Sequence, residues 1–374
     1  MAKFLTELRK TTGSVSFEQS KYGEPEHYIN TGSFALNRIC SGDLYLGIPA
    51  GRTVILFGPT GVGKTLIALK IAANALTENK YDIILYFDSE GGAPKEMISN
   101  LGCDPSKVEQ ILIDTVEDAT VKILSAYQSI LAEQEKNPKF RALLIVDSLG
   151  ALVASKLYSD IDKGDQKHDQ GNRARLINAM VKGCTIPSIK SNCSIIFLNH
   201  VYDCPAQMHP TKIKEQSGGQ GLQYMASLSI QCTRKLEKSG DSKSEEFYNG
   251  TTLRFFTTKN RIVRPFIETE IFVDFSKGIC NPYDGLMDLC LKYGLFIQDG
   301  HSLSIPLYST DKKFKKKEVY RTKEIWDKIL PVLNEKSKAD LKYSVIADSD
   351  LITSSADIED DDEDEDNNEL KVSL

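Results

Sequence analysis

Short runs of β-branched and aromatic residues alternate with apolar stretches of helical length through the middle of the chain. Arg52 to Phe57, Ile83 to Phe87, Val108 to Ile113, Ala142 to Asp147 and Ser194 to Asn199 read as strands. Leu66 to Leu76, Pro94 to Leu101, Val116 to Gln134 and Asn172 to Lys190 read as the helices between them. Repetition of strand then helix predicts an α/β fold: a twisted, mostly parallel sheet with helices on its faces. After the second long loop the spacing changes. Leu228 to Thr233, Leu253 to Thr258 and Ile267 to Phe275 are strand-like runs joined by polar turns, one near Lys238 to Lys243, and predict an antiparallel extension. Gly285 to Tyr293, Glu324 to Leu333 and Lys338 to Ile346 read as helices, with the basic run Lys312 to Lys317 among them, in a small carboxyl-terminal α/β domain. At the other end Phe4, Leu5 and Leu8 share one helical face, too short to stand alone, so it is expected to pack on the core or on a neighbouring subunit. Thr31 to Asn37 offers a turn and a capped helix start. The expected division is 1–27 as helix and linker, 28–284 as the main domain, 285–346 as the small domain and 347–374 as an acidic tail.

Composition narrows the setting. With 41% hydrophobic and 26% charged residues the balance is that of a soluble protein. No apolar run approaches the roughly 20 residues of a membrane span, and Met1 to Lys10 lacks a signal peptide's apolar core, so a cytoplasmic location and no membrane partner are expected. The eight cysteines are scattered without C-x-x-C or zinc-ligand spacing, which predicts reduced thiols. Ten carboxylates lie between Asp357 and Glu369, and setting them aside turns the formal net charge of -6 into +4 for the remainder. Such a tail reads as a solvated end, or as a polyanion competing with DNA for basic surfaces.

The chemistry centres on one loop. Gly58, Pro59, Thr60, Gly61, Val62, Gly63, Lys64 and Thr65 match G-x-x-x-x-G-K-[ST] between a strand and a helix, where backbone amides wrap a phosphate chain at a helix start. Lys64 is expected to neutralise the β and γ phosphates of ATP, and the Thr65 hydroxyl to ligate Mg²⁺. Other polar groups gather at strand ends, where such sheets bind ligands. Asp147, closing Leu143-Leu-Ile-Val146, fits a carboxylate holding Mg²⁺ through water, or a helix cap. Glu90 fits the base for the attacking water, a part that Asp88 could play as well. Two long loops, 155–171 and 201–221, carry lysines and glycines, among them Lys212, Lys214, Gly218 and Gly219. They read as phosphodiester-binding segments or as plain surface loops.

Thr31-Gly-Ser-Phe-Ala-Leu, the phosphate loop, Phe87-Asp-Ser-Glu90, Val146-Asp-Ser148, Leu198-Asn-His200, Ser217-Gly-Gly219 and Lys259-Asn-Arg261 occur in the order and spacing of RecA-type recombinases, which the chain resembles over roughly residues 28 to 285. Among these it is most similar to those of T-even bacteriophages, in Asp88-Ser-Glu90, Asn199-His200 and the short first helix. The resemblance implies a RecA-like P-loop NTPase core with Glu90 as catalytic glutamate and Asp147 as the Mg²⁺ aspartate. It implies that His200 senses the γ-phosphate, where bacterial RecA has a glutamine, and that Lys259 and Arg261 reach the ATP of the next subunit. Arg175, Gly218 and Gly219 fall at DNA-contacting positions. Met97 stands where many relatives place a tyrosine against adenine, and Arg261 replaces a lysine. The function so implied is that of a DNA-dependent ATPase forming a helical filament on single-stranded DNA and pairing it with duplex DNA. A single-stranded-DNA-binding protein and mediators would be partners, in a host cytoplasm if phage-encoded. A ring-shaped helicase or motor and an ATP-controlled switch are the alternatives.

Overall fold

A computed structural model describes residues 1–341 apart from 21, 79, 163–169, 203–214, 220, 235–249, 275–277 and 280. The acidic tail, the loop residues Lys163, Lys167, His168, His209, Lys212 and Lys214, and the turn at Lys238 to Lys243 lie outside the described residues. Helix α1 (Ala2–Thr12) ends at Gly13, whose φ of 66° suits a glycine cap. Among the described residues its apolar face is only partly covered, with Phe4 63% and Leu5 37% exposed and Leu8 half-buried. Strand β1 (Tyr28–Ile29), helix α2 (Phe34–Ser41) and strand β2 (Ile48–Pro49) follow, β1 and β2 pairing antiparallel. Ser33 caps α2, its hydroxyl accepting from the Leu36 amide at 3.2 Å.

The alternating stretch then unfolds as β3 (Thr53–Gly58), α3 (Lys64–Thr77), β4 (Ile83–Asp88), α4 (Lys95–Asn100), β5 (Val108–Leu112), α5 (Val116–Lys136), β6 (Ala142–Asp147), α6 (Ser155–Asp162), α7 (Gln170–Ser191) and β7 (Ile195–Tyr202). The expected first long loop thus begins as the helix α6. After β7 come β8 (Glu215–Gln216), α8 (Gly221–Met225), β9 (Leu228–Arg234), β10 (Gly250–Asn260), β11 (Glu268–Asp274) and β12 (Gly278–Ile279). One sheet takes them in the order β12-β11-β10-β9-β3-β7-β6-β4-β5, with β8 added to β7. Strands β9, β3, β7, β6, β4 and β5 are parallel, and β10 to β12 continue antiparallel. The expected antiparallel extension therefore starts one strand late: β9 lies parallel to β3 because α8 and the segment before it carry the chain back to the amino end of the sheet. Every residue of β3 and β6 is buried, as strands covered on both faces must be. One apolar layer packs α3 against the sheet through Leu66, Ile67 and Ile71, and the other packs α5 and α7 through Ile123, Tyr127, Ile177 and Val181.

The last segment holds α9 (Met287–Lys292), a three-stranded antiparallel sheet of β13 (Ile297–Asp299), β14 (Ser302–Ile305) and β15 (Ser309–Lys315), then α10 (Lys316–Arg321) and α11 (Lys323–Leu341). Its apolar centre is Trp326, stacked 4.8 Å from Tyr283 and donating its indole N–H to the Val319 carbonyl at 2.9 Å. Two helices expected at Glu324 to Leu333 and Lys338 to Ile346 are instead the single helix α11, with residues 342–346 outside the described set. Polar residues on its buried face break the apolar period. Asn334 accepts from the Leu44 amide at 2.7 Å, and Ser337 donates to the Gly42 carbonyl at 3.1 Å while accepting from Arg38 Nε at 3.0 Å. Satisfied by the end of α2, these side chains interrupt the apolar period without interrupting the helix.

Candidate active site

Strands β3, β4, β6 and β7 all end at the same edge of the sheet, with Gly58 level with His200 and Asp88 level with Asp147. The phosphate loop leaves β3 there. A Cβ at Gly58 would lie 2.0 Å from the Cys232 carbonyl oxygen, so only glycine lets the loop pass the end of β9. Gly63 caps α3 with φ 87°, turning the first amides of that helix toward the loop. Lys64 is buried and donates to the carbonyls of Gly58 at 3.1 Å and Pro59 at 2.9 Å; burial lowers its pKa.

Thr65 and Asp147 meet as the motif requires, the hydroxyl donating to Asp147 Oδ2 at 2.6 Å. Tyr86 on β4 donates to the same oxygen at 2.7 Å. Burial raises the Asp147 carboxyl above its ordinary value, against the pull of these two hydrogen bonds. A carboxylate and a hydroxyl side by side next to a phosphate loop suit Mg²⁺, which takes few protein oxygens and keeps its other sites for water and phosphate.

Asp88 and Glu90 have different surroundings. Asp88 is buried and accepts from the amides of Glu90 at 3.0 Å and Gly91 at 2.7 Å, and from Gln110 Nε2 at 2.7 Å. These bonds tie it to the turn that carries Glu90. Glu90 is exposed, 3.0 Å from His200 Nε2, and accepts from the Ser148 hydroxyl. Burial pushes its carboxyl up, but the hydrogen bonds from Ser148 and His200 outweigh that and leave it below the ordinary range. On its other side His200 Nδ1 lies 3.3 Å from Thr60 Oγ1 and 3.5 Å from Lys64 Nζ. One imidazole therefore spans acid and phosphate loop.

His200 also reaches toward the second long loop. Its carbonyl accepts from the Ser217 amide at 2.9 Å, and Asn199 Nδ2 donates to the Ser217 carbonyl at 2.8 Å. Gly218 and Gly219 follow with φ of 94° and 78°. Arg175 is exposed on α7, donating to Asn172 Oδ1 at 3.0 Å. Met97 sits on α4, half-buried against the core.

Lys259 and Arg261 are not brought to this edge. Lys259 is level with Ser229, which pairs with Ile55, three residues and about 10 Å along β3 from Gly58. The Arg261 amide donates to Ser227, whose own amide bonds Thr53 at the start of β3. Lys259 donates to the Tyr224 carbonyl at 2.6 Å, and burial, with the charge of Arg261, lowers its pKa to about 8. Sequence reasoning placed Ser148 at a strand end without giving it a part, and missed Tyr86 and Arg234, the latter donating to the Gly61 carbonyl at 3.1 Å. Arg234 carried a signal, since it closes the strand beside β3; Tyr86 inside an apolar strand carried none.

A family model for the RecA N-terminal domain matches residues 4–280. The RecA protein of Sulfurimonas denitrificans is 28% identical over 344 residues, covering 90% of each chain. That of Borreliella afzelii is 28% identical over 302 residues, 80% of this chain and 77% of its own. That of Treponema denticola is 29% identical over 266 residues, 71% of this chain, which spans 59% of the Treponema protein's length. With the family domain matched over residues 4–280, about three quarters of its length, the chain belongs to the RecA family.

Proposed function

We propose that this chain is a DNA-dependent ATPase that assembles as a filament on single-stranded DNA and exchanges its strand with a homologous duplex. The observation that carries the reading is the double engagement of His200. Its ring touches Glu90 and lies beside Lys64, while its carbonyl holds Ser217 at the foot of a loop rich in lysine and glycine. A change at the nucleotide thereby has a short route to a segment suited to a phosphodiester backbone.

In this reading the loop amides and Lys64 hold the triphosphate, Lys64 exchanging the carbonyls of Gly58 and Pro59 for phosphate oxygens. Thr65 and Asp147 hold Mg²⁺, which when bound neutralises charge on the phosphate oxygens. Glu90, kept ionised by Ser148 and His200, orients the attacking water and takes its proton as the γ-phosphate leaves ADP. Lys259 and Arg261 lie toward the other end of the strand from their own loop, which supports their acting on the ATP of an adjoining copy, and the exposed Phe4 and Leu5 of α1 suit contact with another copy. Arg175, Gly218, Gly219, Lys212 and Lys214 contact DNA, and Met97 lies by the base. The closer likeness to phage recombinases, the host cytoplasm and dealings with a single-stranded-DNA-binding protein and mediators belong to the same proposal. ATP turnover titrated with single- and double-stranded DNA, with images of the assemblies, tests it. Stimulation by single strands and helical filaments are expected; rings, or turnover indifferent to DNA, would overturn it.

A further inference from the structure

Arg173 lies in the first turn of α7, two residues before Arg175, and points the other way. Its Nε donates to the Leu152 carbonyl at 2.6 Å, and its Nη2 to the carbonyls of Leu149 at 2.9 Å and Gly150 at 2.8 Å. Its Nη1 donates to Ser217 Oγ at 3.2 Å. The three carbonyls belong to the turn that follows Asp147 and Ser148; the fourth acceptor belongs to the foot of the second long loop. That turn also presses on His200, since a Cβ at Gly150 would lie 2.4 Å from His200 Cδ2. One guanidinium thus braces, from behind, the turn against which the imidazole rests, and holds Ser217, which the His200 carbonyl holds from the front. Four acceptors spread over two segments need a planar fork of donors, which lysine does not have.

We propose that Arg173 is a positioning residue that couples the nucleotide pocket to DNA binding. It keeps the 149–152 turn and Ser217 in one register, so that displacement of His200 moves the foot of the loop instead of being absorbed by the turn. Arg173 touches neither nucleotide nor DNA in this role. The inference rests on the DNA-dependent ATPase reading, and the test separates the two.

The test measures single-stranded DNA affinity with and without ATPγS, together with ATPγS affinity and thermal unfolding, for the parent chain, Arg173→Gln and Arg173→Lys. In the parent, ATPγS should tighten DNA binding, on the order of tenfold or more for a coupling of ordinary size. Absence of that effect in the parent would overturn the functional reading itself, and this inference with it. Given the effect, Arg173→Gln should bring the ratio close to one while ATPγS affinity and nucleotide-free DNA affinity stay within about twofold of the parent, and Arg173→Lys should fall between. A parent-like ratio in either variant overturns the inference. So does a loss of both affinities in step with the unfolding temperature, which marks a merely structural arginine. If Arg173→Gln does not fold, the lysine variant decides alone, because its ammonium and stem keep the site filled.

Discussion

The two ends of strand β3 carry opposite kinds of incompleteness. At its carboxyl end, Thr65 bonds Asp147, and His200 lies between Lys64 and Glu90, so that acids, a hydroxyl and an imidazole gather beside one lysine. At its amino end, Lys259 and Arg261 place two cations on a separate surface, about 10 Å or more along the strand from the loop. The first end resembles a site for a polyanion; the second resembles the charge such a site lacks. Under the proposed function, two such half-sites at opposite ends of one strand would complete each other in a head-to-tail contact, which generates a filament when the rotation does not close. A single chain that completed its own site would need no second copy to turn over ATP.

The largest expected effect is at the carboxyl end. Lys64→Ala should abolish measurable ATP binding and turnover in equilibrium binding and phosphate-release assays; retained nucleotide affinity would mean that the loop does not hold the triphosphate. Arg261→Ala should leave the nucleotide affinity of the isolated chain intact and lower DNA-stimulated turnover by about 10³-fold, the scale of an arginine finger. The comparison becomes sharper when these two inactive variants are mixed. Random neighbours then bring an intact loop to an intact Arg261 at roughly a quarter of heterologous contacts, and activity should return to that level. No recovery would mean that each chain uses its own cations.

Glu90→Gln should keep ATP and DNA binding and slow turnover by about 10²-fold or more, as loss of a base does. Unaltered single-turnover rates would move the base elsewhere. The smallest effect is one of pH. Lys259, with its pKa lowered to about 8, must be charged to face a phosphate, so ATP-dependent assembly takes up a proton near and above that pH. Assembly followed by light scattering should therefore weaken several-fold as pH rises from 7 to 9, and Lys259→Arg should flatten the curve. A flat profile in the parent chain would take Lys259 out of the seam.

Strands β3, β4, β6 and β7 were legible because each opens on an apolar run, and in β3 and β6 burial on both faces demands that pattern. The phosphate loop was legible because glycines at Gly58 and Gly63 answer steric needs that no other residue meets. α11 was not, because Asn334 and Ser337 look like surface residues until the end of α2 supplies their partners. Asp88 and Glu90 were equivalent acids along the chain. Only the fold directs backbone amides and Gln110 onto the first and His200 onto the second.

By itself, then, the chain's order of residues determined the alternation of strand and helix, the loop and the set of polar groups at strand ends, since these depend on local period and on steric limits of single residues. What only the tertiary structure decided is which of those groups meet: Tyr86 with Asp147, Arg173 with Ser217, and Lys259 and Arg261 apart from the loop. Strand order and register set those distances, and they arise from packing between segments far apart in the chain, to which no local pattern refers.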